Sequence, residues 1–291
     1  MPAVTSPPET DTHTIAVAGT VAELRAAVAA WRDARAAVAL VPTMGALHAG
    51  HLALVTRAKA LAPRVVASIF VNPTQFGPNE DLSRYPRDVD GDRRKLAAAG
   101  CDLAFVPAVA EMYPEGAVAR VDPGPLGTIL EGQFRPGHFA GVATVVAKLL
   151  QQVAPDVAVF GEKDFQQLLI IRHVARDLDI PVRIDGVPTV RESDGLALSS
   201  RNAYLSPDER ARAPLLHRTL RDVARGFAGG DLAAPERGIE SLLAGGFAKV
   251  DYLAVRDAET LDLPRPGRPA RVLAAVWLGR TRLIDNIALA P

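Results

Sequence analysis

The apolar residues of the chain fall into two alternating kinds of segment between residues 20 and 188. Short uncharged runs of Val, Ile, Leu and Ala alternate with longer segments in which apolar positions recur every three or four residues. The short runs are typical of strands buried on both faces, and the longer spacing is typical of amphipathic helices. The pattern predicts strands at 37–41, 65–71, 103–106, 157–160 and 182–187, with helices at 21–32, 50–61, 88–99, 142–153 and 165–178. This alternation indicates a doubly wound parallel sheet, which is a Rossmann-like α/β fold.

The pattern changes after about residue 188. Ser206, Pro207 and Glu209 supply an N-cap, an N1 proline and a capping-box acid, and helical spacing continues from there to about residue 225. A second helix is predicted at 233–243, followed by strands at 250–256, 271–278 and 281–288. We therefore expect a disordered tail at 1–14, a larger α/β domain at 15–189 and a smaller α+β domain at 190–291.

Composition narrows the class of protein. The chain has 291 residues with 33 Lys and Arg against 33 Asp and Glu, so it lacks the basic excess that bulk nucleic-acid binding requires. A single cysteine, Cys101, excludes an internal disulfide framework and a cysteine-based metal cluster. No apolar run reaches the ~20 residues of a membrane span, and the N-terminus does not resemble a signal peptide. We expect a cytoplasmic enzyme or binding protein without nucleic-acid or membrane partners.

The most informative segment, 42–51, follows the first predicted strand and opens a helix. Its glycines, Gly45 and Gly50, permit a close approach of the backbone to a ligand, and a helix N-terminus offers free N–H groups to a phosphate. His48 and His51 are three residues apart, so both rings can face one phosphate. The alternative is an ordinary strand–helix connection with incidental histidines.

Two further segments follow predicted strands at the same edge of the sheet. In 70–76, Asn72 ends the strand and Gln75 can present a donor and an acceptor to a small polar substrate, although an ordinary turn fits as well. In 161–167, Lys163 is a compact charge suited to phosphate in a chain that mostly uses arginine. Asp164 and Gln167 also match a capping box, which is the structural alternative for that pair.

Two polar loops complete the set of candidates. Residues 198–202 carry hydroxyls, backbone N–H groups and the Arg201 guanidinium, which suit a phosphate clamp or, alternatively, a polar hinge. Residues 130–139 are rich in Gly and Pro and are predicted to be a loop. From that loop Arg135 and His138 can reach an active site or another subunit.

Taken in order, these segments resemble one family. PTMGALHAGH, SIFVNPTQF, LEGQFRPGHFAGV, GEKDFQQ, LALSSRNAYLS and the terminal TRLIDNI are similar to motifs of the pantothenate synthetases, within the nucleotidyltransferase superfamily that has a His-x-Gly-His signature. The resemblance extends from about residue 37 to 287. It implies ATP-dependent condensation of pantoate with β-alanine through a pantoyl-adenylate, with release of AMP and pyrophosphate. It also implies Mg²⁺, a small domain that closes as a lid, and a homodimer.

The resemblance also assigns roles to residues. It implies four catalytic residues: His51, His48, Lys163 and Arg201. It implies that Gln75 and Gln167 hold pantoate, and we expect Asn72, Arg135 and His138 to belong to the same substrate-binding set. It implies an ATP-binding set: Pro42, Thr43, Met44, Gly45, Ala46, Leu47, His48, Ala49, Gly50, His51, Gly161, Glu162, Lys163, Asp164, Val190, Leu198, Ser199, Ser200 and Arg201.

Two positions depart from the family pattern, and two other functions stay open. Leu198 stands where the family usually has Met, and Gly91 stands where some relatives carry an acid, which leaves Asp92 as the expected metal contact. One alternative is another small-molecule nucleotidyltransferase, against which Gln75 and Gln167 favour a small acid substrate. The other is a catalytically silent nucleotide-binding module, which the intact histidines, lysine and arginine oppose.

Overall fold

The structure is a computed structural model that describes residues 15–78, 80 and 82–289. The predicted tail at 1–14 lies outside the described residues. The first sheet contains β1 (Ala16–Ala18), β2 (Val38–Thr43), β3 (Arg64–Ile69), β4 (Leu103–Phe105), β5 (Val157–Gly161) and β6 (Arg183–Val187). Its helices are α1 (Val21–Asp33), α2 (Ala49–Leu61), α3 (Val89–Ala98), α4 (Val109–Met112), α5 (Glu131–Phe134), α6 (His138–Val153) and α7 (Phe165–Asp177). The predicted α/β alternation is confirmed.

All six strands of this sheet are parallel, in the order β1-β4-β3-β2-β5-β6. From β2 the chain adds β3 and β4 on one side of the sheet, and from β5 it adds β6 on the other, so a crevice opens at the carboxyl ends of β2 and β5. Ligands bind at such switch points in doubly wound sheets. The first strand, β1, was not predicted; it lies at the edge of the sheet, and two of its three residues, Ala16 and Val17, are exposed.

Alternating side chains of the strands pack against helices on opposite faces. In β2, Val38 and Leu40 join the core formed with α1 and α6, whereas Ala39 and Val41 join the core formed with α2 and α3. Both faces are therefore covered, which is why the strands read as continuous apolar runs. No helix in the described part of the chain has the length and apolarity needed to cross a membrane.

The second sheet is antiparallel and contains β7 (Lys249–Asp257), β8 (Ala270–Leu278) and β9 (Thr281–Leu289). The helices α8 (Pro207–Arg212), α9 (Leu215–Ala228) and α10 (Ala234–Ala244) precede it, and buried side chains of α9 and α10 share its apolar core. The Ser206–Glu209 capping box forms as predicted. The single predicted helix to residue 225 is wrong, because Pro214 lacks an N–H and separates α8 from α9.

The segment 130–139 also differs from its prediction as a loop. It contains the short helix α5, and α6 begins at His138 instead of residue 142. Pro136 and Gly137, which has φ of 81°, form the turn before α6, so the Gly/Pro signal marks a tight connection between two helices. His138 therefore lies in the first turn of a helix that borders the crevice.

Candidate active site

The predicted segments meet in one cavity of about 230 Å³ at the carboxyl ends of β2 and β5. Nearly all of the predicted site residues line it: Pro42, Thr43, Met44, His48, Gly50, His51, Asn72, Gln75, Arg135, His138, Gly161, Lys163, Asp164, Gln167, Val190, Leu198, Ser199, Ser200 and Arg201. Six predicted residues are absent from its wall: Gly45, Ala46, Leu47, Ala49, Asp92 and Glu162. The predicted residues therefore divide into those that line this cavity and those that lie behind its wall.

The two histidines at the start of α2 are held by the helix N-terminus itself. His48 is the N-cap, and its Nδ1 accepts the Gly50 N–H at 3.2 Å. The Nδ1 atom of His51 accepts the His48 N–H at 3.4 Å. A neutral imidazole that accepts at Nδ1 carries its proton on Nε2. Both rings are therefore Nε2–H donors.

Burial keeps these rings neutral. It is the main cause that lowers the pKa of His51 to about 3, with smaller contributions from His48 and Lys163. Burial, followed by the charge of Lys163, also lowers the pKa of His48. The ring centroids are 4.1 Å apart, so two charged imidazoles would repel each other. At neutral pH the site thus presents two uncharged donors beside Lys163.

The loop before α2 is supported from outside the cavity by Asp92. Its Oδ2 accepts the Ala46 N–H at 2.7 Å, and its Oδ1 accepts the Leu47 N–H at 2.8 Å. Gly45 has φ of 82°, and a Cβ there would approach Asp92 Oδ2 to 3.0 Å. The expectation that Asp92 contacts a metal gains no support, because backbone donors occupy both of its oxygens.

Asn72 and Gln75 lie together on the loop after β3. The Oδ1 atom of Asn72 accepts from Thr74 and from the Tyr113 hydroxyl at 2.9 Å, while its Nδ2 donates to Gln75 Oε1 at 3.1 Å and to the Gly141 carbonyl at 3.1 Å. The amide of Asn72 is thus fully used by protein groups. These contacts make it a support for Gln75, in place of the direct substrate contact that we expected.

Arg135 and His138 approach the same loop from the other side. His138 Nδ1 lies 2.9 Å from the Gln75 carbonyl, which requires an Nδ1–H donor, and Arg135 Nη1 lies 3.3 Å from His138 Nε2. Arg135 also pairs with Glu80 through two nitrogens. Burial, followed by the charge of Arg135, lowers the pKa of His138 to about 4. Both residues line the cavity and also fix the Gln75 backbone.

The segment after β5 divides between the cavity and the small domain. Lys163, Asp164 and Gln167 line the cavity, with Lys163 Nζ 3.9 Å from Asp164 Oδ1. The side chain of Glu162 instead accepts from Arg271 of β8 at 2.9 Å and does not line the cavity. Its contact with ATP stays a prediction. The predicted Asp164–Gln167 capping box is wrong, since Asp164 makes no side-chain cap hydrogen bond.

The 198–202 loop contributes Leu198, Ser199, Ser200 and Arg201 to the wall of the cavity. The Leu198 N–H donates to the Val190 carbonyl at 3.0 Å, and Ser199 Oγ accepts the Arg201 N–H at 3.3 Å. Tyr85, whose hydroxyl is 3.5 Å from Ser200 Oγ, also lines the cavity. Sequence reasoning missed Tyr85, because it lies in an irregular segment without a recognisable pattern.

Sequence reasoning also missed the apolar wall of the cavity. One wall is a stripe of α6: Val142, Val145, Val146 and Leu149. Pro188 and Thr189 extend the rim that leads to Val190. The spacing of the α6 residues was a usable signal for one helix face, but an apolar stripe indicates core as readily as a substrate wall.

A second, larger cavity of about 620 Å³ lies between the α/β domain and the antiparallel sheet. Seven residues line both cavities: Arg135, His138, Lys163, Asp164, Gln167, Ser199 and Arg201. The two cavities are therefore adjacent, and the wall that they share carries the cationic side chains of Arg135, Lys163 and Arg201. This arrangement can hold a polyanion next to a small molecule with both polar and apolar groups.

The fold and the site together define a class of protein. A doubly wound sheet with a His-x-Gly-His segment at the start of the helix after its central strand is typical of the nucleotidyltransferase superfamily that carries this signature. Within that class, the family model described as Pantoate-beta-alanine ligase matches residues 16–288. The chain belongs to this family, and it is a ligase that joins pantoate to β-alanine.

Individual relatives agree with this assignment. The chain is 61% identical over 274 residues to the pantothenate synthetase of Paramagnetospirillum magneticum, covering 93% of this chain and 96% of that one. A pantothenate synthetase structure from Thermus thermophilus has a TM-score of 0.88 and 52% identity, covering 95% and 100% of the two chains. A Francisella tularensis pantoate-β-alanine ligase, described as complexed with β-γ ATP and β-alanine, has a TM-score of 0.81 and 35% identity, covering 94% and 97%.

Proposed function

We propose that the smaller cavity activates pantoate with ATP and then transfers the pantoyl group to β-alanine. The observation that carries this proposal is the convergence of two Nε2–H donors, Lys163 and Arg201 beside a small pocket that has both an amide wall and an apolar wall. The Francisella ligase, described as complexed with β-γ ATP and β-alanine, supports the same substrates for this chain.

The chemistry requires two steps because a carboxylate is a poor electrophile. In the first step a pantoate carboxylate oxygen attacks the α-phosphorus of ATP, the bond from that phosphorus to the bridging oxygen breaks, and pyrophosphate leaves. In the second step the free amine of β-alanine attacks the acyl carbon of pantoyl-adenylate, AMP leaves, and the nitrogen loses a proton. Both steps bring anions together, so positioning and charge stabilisation supply most of the catalysis.

The cationic wall suits the nucleotide. The Nε2–H donors of His48 and His51 at the start of α2 would contact the phosphates. Lys163 and Arg201 would neutralise the charge that develops on pyrophosphate, Asp164 would accept from a ribose hydroxyl, and Val190 would contact adenine. Neutral histidines are suitable here, because they donate hydrogen bonds without having to gain a proton first.

The opposite wall suits pantoate. Pantoate carries two hydroxyl groups and a carboxylate on a carbon chain with two methyl groups. Gln75 and Gln167 offer amides to the polar groups, and the α6 stripe of Val142, Val145, Val146 and Leu149 offers an apolar surface to the methyl groups. A nucleoside monophosphate as the second substrate, which the alternative function requires, would place a charged phosphate against this apolar stripe.

Magnesium would arrive with the nucleotide instead of occupying a protein-held site. The described residues contain no group of three or more His, Cys, Asp or Glu side chains placed to hold a metal ion. The expected contact, Asp92, uses both oxygens for backbone N–H groups. Mg²⁺ commonly keeps several waters and binds through substrate phosphates, so we propose that the substrate is MgATP.

The smaller domain, 190–291, would act as a lid over the larger one, 15–189. It supplies the 198–202 loop to the cavity, and closure would exclude water from the pantoyl-adenylate until the amine arrives. We also propose a homodimer and a cytoplasmic location, which sedimentation and cell fractionation would test.

The deciding experiment supplies ATP, pantoate and β-alanine together and follows AMP, pyrophosphate and pantothenate. We expect AMP release that depends on pantoate and amide formation that depends on β-alanine. AMP release without pantoate, or a dinucleotide product, would contradict the proposal.

We also expect His51→Ala to fold but to lower turnover by ~10²-fold or more, because one donor to the phosphates is lost.

A further inference from the structure

Glu131, in α5, occupies a buried position between two arginines from different domains. Its Oε1 accepts from Arg282 Nη1 of β9 at 2.6 Å and from Arg135 Nη1 at 3.3 Å. Its Oε2 accepts from the Tyr252 hydroxyl of β7 at 3.4 Å. Burial alone would raise the pKa of this carboxyl, but the charges and hydrogen bonds of the arginines, led by Arg282, together outweigh burial and lower it. The group is therefore a buried anion shared by both domains.

Arg135 connects the Glu131 carboxylate to the loop after β3 that carries Gln75, which we call the substrate loop. Arg135 donates from Nη2 to the Gln75 carbonyl at 3.4 Å and from Nη1 towards His138 Nε2 at 3.3 Å. His138 in turn donates from Nδ1 to the Gln75 carbonyl at 2.9 Å. A continuous chain of charged and polar groups thus runs from Arg282 through Glu131 and Arg135 to the backbone of Gln75.

The backbone around Glu131 is also fixed. Leu130 has φ of 47°, a left-handed conformation that side chains other than glycine rarely adopt, and its side chain packs with Leu261 and Leu273 of the small domain. The Glu131 N–H donates to Gln166 Oε1 at 3.1 Å. The neighbouring packing therefore holds Leu130 in this conformation and directs Glu131 towards the interface between the domains.

We infer that Glu131 is a positioning residue that couples docking of the small domain to the placement of Gln75, and thereby to pantoate binding. The inference rests on the proposed function, because it assumes that pantoate lies against Gln75. When Arg282 is docked, Glu131 bridges the two guanidinium groups, while Asp251 pairs with Arg282 and Glu80 pairs with Arg135, and Arg135 stays on the Gln75 carbonyl. When the small domain moves away, Arg135 loses the geometry that its shared anion maintains.

The test is a comparison of Michaelis constants in Glu131→Gln. Among the described residues, removing the charge leaves Arg135 paired with Glu80 alone and Arg282 paired with Asp251 alone. Arg135 should therefore shift towards Glu80 and away from the Gln75 carbonyl. We expect KM for pantoate to rise by about tenfold or more, while KM for ATP changes by less than about twofold. Equal changes for both substrates, or no change, would overturn the inference.

A double variant, Glu131→Gln/Arg282→Gln, separates positioning from simple charge balance. It removes both members of the Glu131–Arg282 pair and leaves Arg135 paired with Glu80 and Asp251 paired with Lys249. This variant carries the test if the single variant does not fold. We expect near-wild-type unfolding behaviour with KM for pantoate still raised. Recovery of both would overturn the inference, because Glu131 would then only neutralise Arg282.

Asp257→Asn is the matched control. Asp257 is a buried carboxylate at the end of β7 that pairs with Arg268 at 2.8 Å and accepts the N–H groups of Glu259 and Thr260, all within the small domain. We expect it to lower stability without changing the ratio of the two Michaelis constants. Pantoate-independent AMP release by the wild-type chain would contradict the proposed function itself, whereas a pantoate-dependent wild type with an unaffected Glu131→Gln would contradict only this inference.

Discussion

Buried histidines set the electrostatic character of the site at the scale of single residues. Burial lowers the pKa of His51 to about 3 and that of His138 to about 4. Both rings are therefore neutral at physiological pH, and each has a defined hydrogen-bond role. His51 donates from Nε2 and can contact a phosphate, whereas His138 donates from Nδ1 to a backbone carbonyl. The same residue type thus serves two different purposes.

These lowered pKa values predict that the protein loses stability between pH 7.5 and 5. Over this range the unfolded chain, with a histidine pKa near 6.5, takes up protons that the folded chain does not. The free energy of unfolding should therefore fall by about 2 kcal/mol for His138 alone. In His138→Gln, urea unfolding at the two pH values should show a decrease smaller by that amount. An unchanged pH dependence would contradict a buried neutral ring.

Which residues could be predicted depended on whether their roles were local in sequence. His48, His51, Lys163 and Arg201 lie in short motifs, and all four line the cavity. Asp92 is different, because its partners are backbone N–H groups 46 and 45 residues away, which no side-chain pattern reveals.

At the scale of elements, the loop between β2 and α2 depends on α3 for its shape. Asp92→Asn should therefore lower the free energy of unfolding by about 1–3 kcal/mol, because the amide nitrogen cannot accept one of the two N–H groups. Turnover should fall while the dependence on Mg²⁺ concentration stays unchanged, as measured by AMP release in a magnesium titration. A selective loss of Mg²⁺ affinity would instead support the original expectation of a metal contact.

Asp90→Asn is the control for that variant. Asp90 is on the same helix, but its side chain is 77% exposed and pairs with Arg93 on the surface. We expect unfolding and turnover close to wild type, since exposed ion pairs of this kind contribute little.

The close approach of α6 to the substrate loop depends on Gly141. A Cβ at this position would lie 2.4 Å from the Thr74 carbonyl oxygen and 2.8 Å from the Gln75 nitrogen. Gly141→Ala should therefore destabilise the protein by about 1–3 kcal/mol, although alanine favours a helix by about 1 kcal/mol. Thermal unfolding and pantoate-dependent AMP release should both decrease. A more stable variant would indicate that the helix propensity of alanine outweighs the close contact of its Cβ with the Thr74 carbonyl oxygen.

The predicted boundaries of helices were wrong where a sequence signal is compatible with more than one local structure. Pro136 and Gly137 were interpreted as a long loop, but they form a tight turn between α5 and α6. Pro214 divides a helical pattern that looked continuous. In each segment a proline marks the boundary between two helices: it lies in the turn between α5 and α6 at Pro136, and between α8 and α9 at Pro214.

At the scale of the whole molecule, Arg271 joins the two domains. It pairs with Glu162 at 2.9 Å, and its guanidinium lies 3.9 Å from the ring centroid of Phe165. Arg271→Lys keeps the charge but loses the planar guanidinium that stacks on Phe165 and donates to both Glu162 and Asn286. We therefore expect the free energy of unfolding to fall by about 1–2 kcal/mol. Urea unfolding should test this. Arg225→Lys, at a side chain that is 75% exposed, should have no effect.

The sequence by itself determined the alternation of strands and helices, the order of the motifs and the chemistry that those motifs can perform. These properties depend on short-range spacing, which fixes which face of an element is apolar and which residues follow each strand. Only the tertiary structure decided that Asp92 and Asn72 support the site, that Tyr85 and the α6 stripe line it, and that Glu131 links two domains. Those roles depend on partners distant in the chain, and contacts of this kind exist only once the domains have packed.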